Sequence, residues 1–172
     1  MDFTERQLAS EAIFHGRIMD VRRDIVLLPD GGQSVREVID KSGAVCVLPL
    51  FANGDVGMVR QFRYPFLKEV LEIPAGKLDG DETPLEGAVR ELSEETGLEA
   101  DTWTPLGSLY TSPGFSTETL YLYLATGLRQ GADDARTGRP GLSAPRPHRD
   151  ADIPKQCQTT RYFIIWSFLW KN

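Results

Sequence analysis

The sequence predicts a single layered α/β (α+β) domain, and three observations support this fold class. The chain has 172 residues, of which 41% are hydrophobic and 26% charged, as in a globular protein with one core of ordinary size. Branched and aromatic residues dominate several short segments of the first 75 residues, which is typical of β-strands. The apolar spacing then becomes helical over residues 84–96, and strand-like segments follow.

Five strands are predicted before the helix, separated by turn sequences such as Asn53-Gly54-Asp55, a strong hairpin signal. The segment Ala44–Phe51 is apolar throughout, so we expect it to be a central strand that is covered on both faces. The predicted strands are Ile13–Met19, Arg22–Pro29, Val35–Asp40, Ala44–Phe51 and Val56–Phe62.

The helix predicted over Pro84–Thr96 is the best-specified element of the chain. Thr83 is a favourable N-cap, Glu86 completes a Thr-x-x-Glu capping box, and Gly97 is a natural C-terminal stop. Its apolar stripe consists of Leu85, Ala88, Val89 and Leu92. Two further strands are predicted after the helix, at Trp103–Tyr110 and Thr119–Thr126.

The composition disfavours several classes of function. The formal net charge of -6 argues against nucleic acid as a partner, because an acidic chain repels the phosphate backbone. No apolar run reaches the roughly 20 residues of a membrane helix, and the N-terminus lacks the basic start and apolar core of a signal peptide. We therefore expect a cytoplasmic protein without a membrane partner, in which Cys46 and Cys157 are free thiols.

The C-terminal residues 129–172 differ from the rest of the chain. Residues 1–128 hold 11 basic and 21 acidic residues, a net charge of -10, whereas residues 129–172 hold 8 and 4, a net charge of +4. This last region contains no glutamate, and much of it is rich in Gly, Pro, Arg and Asp without apolar periodicity, which predicts disorder. It ends in an apolar stretch, Tyr162–Trp170, that is too short for an ordinary membrane span.

Three acidic residues form the candidate catalytic cluster. Glu91, Glu94 and Glu95 are three and four positions apart, so we expect them to project from one side of the helix, opposite the apolar stripe. Like charges at these spacings repel, and the helix dipole disfavours acids in the C-terminal half. A divalent cation would remove both costs, and carboxylate oxygens are the ligands that Mg²⁺ or Mn²⁺ prefers.

The loop before the helix adds candidate ligands to this cluster. Gly76 allows the backbone to approach a ligand closely, and a backbone carbonyl in this loop is a further hard oxygen donor. Lys77 is a candidate phosphate contact, and a solvent-exposed lysine is the equal alternative.

The stretch Gly76–Leu98 resembles an intact Nudix box. Gly76, Glu82 and the run Arg90-Glu91-Leu92-Ser93-Glu94-Glu95-Thr96-Gly97-Leu98 fill every fixed position of that family's pattern. The resemblance implies a Nudix fold, in which a mixed β-sheet is sandwiched between helices and the box forms a loop, a helix and a loop. It also implies hydrolysis of a nucleoside diphosphate linked to another moiety, with Mg²⁺ (or Mn²⁺) as cofactor.

The same resemblance assigns roles within the box. Glu82 and Arg90 would form an ion pair that holds the loop on the helix. The implied metal ligands all offer hard oxygen atoms: Glu91, Glu95, Glu94 as a ligand or support, and the carbonyl of Ala75. The physical reason is charge, since metal ions neutralise the pyrophosphate oxygens, align the attacking water and stabilise the leaving phosphate.

Segments that flank the box resemble the ADP-ribose pyrophosphatase branch of the family. The resemblance covers about residues 12–128 and implies cleavage of ADP-ribose to AMP and ribose 5-phosphate. It also implies an N-terminal antiparallel β-hairpin region over residues 1–43 that forms a homodimer, and a hydrolase core over residues 44–128. The segments concerned are Phe14–Ile18, Asp24, Leu28–Gly31, Arg36–Val38, Gln61–Pro65, Glu72–Gly76, Ser112–Gly114 and Glu118.

Carried over position by position, Arg36 and Arg63 would bind the phosphates or the base of the substrate, since guanidinium groups make bidentate hydrogen bonds with phosphate. Glu118 would bind the ribose or its water network. Each of these three has a simpler alternative role as a surface charge. Phe14 is a candidate for stacking on adenine, and the default alternative is that it is a residue of the hydrophobic core.

The resemblance ends near residue 128. The branch normally carries an acidic loop there, with a further glutamate that is often the general base, and then an amphipathic helix; this chain has neither. Asp133 and Asp134 are the only acids near that place. The loss of glutamate and the charge reversal suggest that the reading frame has shifted or that the end was replaced, which the coding DNA would decide.

Three functions remain open at the level of sequence. The first is hydrolysis of ADP-ribose, and the second is hydrolysis of another ADP-sugar, NADH or a dinucleoside polyphosphate. The third is a nucleotide-binding domain that has lost turnover. The intact acid cluster favours an enzyme, because a pure binder of polyphosphates has little need for three repelling glutamates.

Overall fold

The computed structural model of the chain describes residues 2–131 and the backbone of residues 143–148. These residues form two compact units, one from Met1–Gly43 and Leu109–Leu120 and the other from Ala44–Ser108 and the residues that follow Leu120. The elements in chain order are β1 (Arg6–His15), β2 (Asp20–Leu27), β3 (Gln33–Asp40), β4 (Ala44–Pro49), β5 (Val56–Arg63), a 3₁₀ turn (Tyr64–Phe66), β6 (Lys68–Glu72), β7 (Ala75–Lys77), α1 (Pro84–Thr96), β8 (Leu98–Tyr110), β9 (Thr119–Gln130) and β10 (Ser143–His148).

The first unit is an antiparallel three-stranded sheet in the order β1-β2-β3, which confirms the predicted antiparallel N-terminal strands. The prediction of a strand over Ile13–Met19 is wrong in its bounds. Strand β1 begins at Arg6 and ends at His15, and Gly16–Met19 forms a turn in which the Gly16 N–H donates to the Met19 carbonyl at 3.1 Å. Every residue of β1 is exposed, so no alternation of buried and exposed residues marks its start.

The second unit carries a four-stranded sheet in the order β7-β4-β9-β8, and a three-stranded sheet in the order β10-β5-β6. All six residues of β4 are buried, so the prediction of a central strand covered on both faces is confirmed. Helix α1 packs on this strand through a shared core of Val45, Val47, Ala88, Leu92, Leu98 and Ala125. Strands β6 and β7 were not predicted, because strands of five and three residues are too short to show a clear apolar periodicity.

Helix α1 has the predicted bounds and caps. The Glu86 N–H donates to Thr83 Oγ1 at 3.3 Å, and the Thr83 N–H donates to Glu86 Oε2 at 2.7 Å, which completes the capping box. Gly97 ends the helix with a φ of 69°, a left-handed conformation that glycine adopts without strain. Within residues 2–131 and 143–148, α1 is the only α-helix, so these described residues do not contain the second helical layer that the resemblance implies.

The C-terminal region holds one described element. Strand β10 covers Ser143–His148 and pairs antiparallel with β5 at the edge of its sheet, so the prediction of disorder is wrong for these six residues. Its two prolines, Pro145 and Pro147, lack N–H donors, and sheets tolerate proline at such edges. Cys157, Asp133, Asp134 and the apolar stretch Tyr162–Trp170 lie outside the described residues. None of the described helices is long and apolar enough to cross a membrane.

We expect Thr83→Ala to lower the free energy of unfolding by about 1 kcal/mol, because it removes the N-cap acceptor of α1. Urea unfolding followed by circular dichroism measures this change. Thr83→Ser keeps the hydroxyl and is the matched control, with an unfolding midpoint close to that of the unchanged protein. Equal destabilisation by both substitutions would contradict the capping role.

Candidate active site

Two of the three predicted acids lie on the buried side of α1. Glu91 is 1% exposed and Glu95 is 6% exposed, whereas Glu94 is exposed to solvent. The expectation that all three acids lie opposite the apolar stripe is therefore wrong for Glu91 and Glu95. The buried stripe follows the helical spacing of Ala88, Glu91, Leu92 and Glu95, while Leu85 and Val89, assigned to the core from sequence, are exposed.

The backbone of β7 contacts both buried carboxylates. The Ala75 N–H donates to Glu95 Oε2 at 3.0 Å. A Cβ atom placed on Gly76 would overlap the carboxylate group of Glu91, so this strand approaches the helix as closely as it does only because residue 76 is glycine. The predicted importance of Gly76 is thus explained by contact with a glutamate of the helix.

Arg90 ties the loop before the helix to the acid cluster. Its Nη2 donates to Glu82 Oε1 at 2.6 Å and to the Lys77 carbonyl at 3.0 Å, and its Nε donates to Glu82 Oε2 at 3.1 Å. Its Nη1 donates to Glu91 Oε1 at 2.7 Å and to Glu94 Oε2 at 3.3 Å. The predicted Glu82–Arg90 ion pair is confirmed, and hydrogen bonding to Glu82, then to Glu91, raises the pKa of Arg90.

The stability of this loop is expected to depend on pH through Glu82. The hydrogen bond from Arg90, followed by that from the Asp79 N–H, lowers the pKa of Glu82 below its ordinary value of 4.5. Because the pKa of Glu82 is lower in the folded state, its charged form stabilises the fold above about pH 4.5. This stabilisation is lost as the pH falls through the folded-state pKa. Urea midpoints at pH 7 and near pH 3 should show Glu82→Gln less stable than the unchanged chain at pH 7, with a smaller difference in acid. A gap that stays constant with pH would contradict the assignment.

Arg63 pairs with a buried carboxylate that the sequence did not single out. Glu72 is 3% exposed, and both of its oxygens accept from the Arg63 Nε at 3.1 Å. The Arg63 Nη2 also contacts Glu72 Oε2, and the Gln61 Nε2 donates to that oxygen at 3.0 Å. Glu72 lies in the matched segment before the box, but the sequence alone does not show whether an acid at the end of a strand is buried or exposed.

The remaining predicted substrate contacts fall in different places. Arg36 and Glu118 belong to the first unit, where Arg36 pairs with Glu5 and Glu118 accepts from Lys41 Nζ at 2.6 Å. Lys77 belongs to the second unit and its residue is exposed. Phe14 is also exposed, so its default role as a core residue is wrong for the single chain.

The donor atoms around Glu91 and Glu95 suit a hard divalent cation. No group of three or more acidic, histidine or cysteine side chains that could hold a metal ion occurs in the part of the chain that the structure describes. Mg²⁺ does not need such a cage, because proteins usually bind it through one or two carboxylates, with water and substrate phosphates as the other ligands. Two buried carboxylates one helical turn apart, beside the backbone of Ala75 and Gly76, fit that requirement.

Family models account for most of the chain. Residues 40–151 match the model described as the NUDIX domain, which is more than half of the sequence. The chain belongs to the Nudix family. Residues 5–39 of this Nudix protein match the model of the nucleoside diphosphate sugar hydrolase N-terminal domain, which agrees with the resemblance of its N-terminal strands.

Three relatives are similar to this Nudix protein over most of its length. An ADP-ribose pyrophosphatase of Mycobacterium tuberculosis is 43% identical over 147 residues, 85% of this chain and 66% of the relative. A methanol dehydrogenase activator of Bacillus methanolicus is 44% identical over 73% of this chain and 68% of its own length. An ADP-ribose pyrophosphatase of Bacillus subtilis is 45% identical over 70% of this chain and 65% of its own length. The matched regions thus span about two thirds of these relatives.

A solved structure shares the fold. The crystal structure of an ADP compounds hydrolase superposes with a TM-score of 0.78 at 20% sequence identity, and the match covers 99% of this chain and 97% of that one. The predicted α+β Nudix fold is confirmed by this match.

Proposed function

We propose that this chain hydrolyses ADP-ribose to AMP and ribose 5-phosphate in a reaction that depends on a divalent cation, with Mg²⁺ as the physiological ion and Mn²⁺ as a substitute. The observation that carries the proposal is the burial of Glu91 and Glu95 against the backbone of β7. Arg90 compensates part of the charge of Glu91, and carboxylates held in this way offer the hard oxygen donors that a divalent cation binds. The identity of the substrate is supported by the two relatives named ADP-ribose pyrophosphatase.

Glu91 and Glu95, with Glu94 and the carbonyl of Ala75, are the residues that would hold the cation. When bound, a divalent cation supplies charge neutralisation at the pyrophosphate and activation of the attacking water. The protein's own contribution is orientation: the Ala75 N–H fixes one oxygen of Glu95, and Arg90 fixes Glu91. This arrangement limits the rotamers of both carboxylates before any ligand binds.

Cationic side chains are proposed to bind the rest of the substrate. Arg63 is 36% exposed at its side chain and retains donors beyond those used on Glu72, which suits a phosphate oxygen. Lys77 is proposed as a second phosphate contact, and Arg36 and Glu118 as contacts to the base and ribose. The Arg36–Glu5 ion pair would open when the substrate binds, which is cheap because pairs this exposed contribute little.

A substrate panel tests the reaction. The protein is incubated with Mg²⁺ and ADP-ribose, ADP-glucose, NADH or a diadenosine polyphosphate, and AMP is measured with and without EDTA. We expect AMP chiefly from ADP-ribose and none after chelation. Release from another member of the panel would reassign the substrate, and binding without release would show a nucleotide-binding domain in place of an enzyme.

We also propose that the protein is a cytoplasmic homodimer formed through its N-terminal strands. Apolar side chains on and next to β1 are exposed in the single chain, including those of Leu8, Ile13, Phe14 and Ile18. Exposed apolar surface of this kind favours association with a partner. Light scattering should give twice the mass of one chain, and a monomer mass at every concentration would contradict the proposal.

A further inference from the structure

Glu72 lies at the centre of a small polar cluster beside the acid site. Its carboxylate is buried and accepts from Gln61 and Arg63, which are two positions apart on the same face of β5. Both oxygens accept from the Arg63 guanidinium, and Gln61 donates to one of them. Such a cluster fixes the position of the guanidinium, because a planar fork on a two-oxygen acceptor has one favoured geometry.

The chain path connects this cluster directly to the proposed metal ligands. Glu72 is the last residue of β6, and only Ile73 and Pro74, both buried, separate it from Ala75. The Ala75 N–H donates to Glu95, so one short segment carries the Glu72 side chain and also holds the Glu95 carboxylate. Hydrogen bonding to Glu72 is the main cause that raises the pKa of Arg63, and the negative charge of Glu95 raises it further.

A guanidinium and a divalent cation bind the same oxygens of a carboxylate. Arg90 already donates to one oxygen of Glu91, so a second guanidinium on Glu95 would leave both buried carboxylates of the proposed metal site paired with arginine. Arg63 is therefore useful to a phosphate substrate but harmful if it pairs with Glu95. We propose that Glu72 is a positioning residue that holds Arg63 and keeps it from pairing with Glu95, the carboxylate assigned to the metal. This inference rests on the proposed function, because it takes Glu95 to be a metal ligand.

The substitution Glu72→Gln separates this role from simple packing. The amide has nearly the same shape but no negative charge, so Arg63 is expected to turn to Glu95 and to weaken metal binding by about tenfold, the lower end of the range for residues that support metal ligands. Removing the competitor as well, in the double variant Glu72→Gln/Arg63→Gln, should restore metal affinity. The KM for ADP-ribose should stay raised in the double variant, because the proposed phosphate contact is gone.

Binding of Mn²⁺ to the full chain without substrate, measured from the electron paramagnetic resonance signal of the free ion, tests the proposal. We expect the Kd of Glu72→Gln to rise about tenfold and that of the double variant to return to within about threefold of the unchanged protein. Glu69→Gln, at a residue that is 63% exposed at its side chain on the same strand, is the matched control and should leave Mn²⁺ binding unchanged.

Two outcomes would overturn the inference while leaving the proposed function intact. One is an unchanged Mn²⁺ affinity in Glu72→Gln. The other is a double variant that binds Mn²⁺ as weakly as Glu72→Gln, which would indicate a structural role for Glu72. Arg63→Gln alone covers the case in which Glu72→Gln does not fold. It removes the competitor directly, so Mn²⁺ affinity should be retained, and a loss of affinity would again overturn the inference. Absence of Mn²⁺ binding by the unchanged protein would instead refute the proposed function and this inference together.

Discussion

Glu95→Gln is expected to lower the rate of AMP release by about 10²–10³-fold, which corresponds to about 3–4 kcal/mol of lost transition-state stabilisation. The side chain is buried and its carboxylate accepts from the Ala75 N–H, so the amide occupies nearly the same volume while it loses the charge that a cation needs. The fold should survive, because the substitution removes a buried negative charge and leaves the core residues Ala88 and Leu92 unchanged. Initial rates with saturating Mg²⁺ and ADP-ribose measure the effect, and thermal unfolding checks the fold.

Glu69→Gln makes the same chemical change at an exposed position and should leave the rate within about twofold of the unchanged protein, in line with the small effects of most surface substitutions. A rate for Glu95→Gln close to that of this control would show that Glu95 is not a metal ligand. A large loss of thermal stability in Glu95→Gln would show that its role is structural.

Gly76→Ala is expected to disturb both the fold and the proposed site. The new Cβ would overlap the Glu91 carboxylate, and because that side chain is 1% exposed and bonded to Arg90, moving it aside is expected to cost contacts within the core. We expect the free energy of unfolding to fall by about 1–3 kcal/mol, as overpacking of a core typically costs. We also expect activity to fall by about 10²-fold, because Glu91 is displaced from its position.

Urea unfolding and initial rates measure the two effects of Gly76→Ala. Gly114→Ala is the matched control for stability, because no atom lies within 4 Å of a Cβ placed there and its backbone is not left-handed. Its unfolding midpoint should equal that of the unchanged protein. An equally stable Gly76→Ala variant would show that the Glu91 carboxylate can leave this contact without cost to the fold.

The parts of the fold that the sequence predicted correctly are those that neighbouring residues determine. The bounds of α1 follow from Thr83, Glu86 and Gly97, which satisfy the helix ends within a few residues. Strand β4 was predicted because all its residues are apolar, and all six of them are buried in the structure. The candidate acids were found for the same reason, since their spacing lies within one helix.

The errors concern contacts between distant segments. The face of α1 that is buried was misassigned because apolar spacing favoured Leu85 and Val89, whereas β7 places its backbone against Glu91 and Glu95. The pairing of Arg63 with Glu72 depends on the register of β5 and β6, which no local pattern specifies. Strand β10 was not predicted because its pairing with β5 joins residues that are far apart in the sequence, and its prolines argue against a strand.

The two carboxylates on the inner face of α1 also bear on how the protein folds. Two of the six residues that α1 buries are glutamates, so docking on the sheet requires Glu91 and Glu95 to lose their hydration while it removes the apolar Ala88 and Leu92 from water. A helix of 13 residues is marginal by itself, so local interactions must help to offset this cost. The capping box, the proline in its first turn and Gly97 supply them. In kinetic terms, we expect the first turn of α1 to form before the helix docks, because its caps are local and docking must dehydrate two carboxylates.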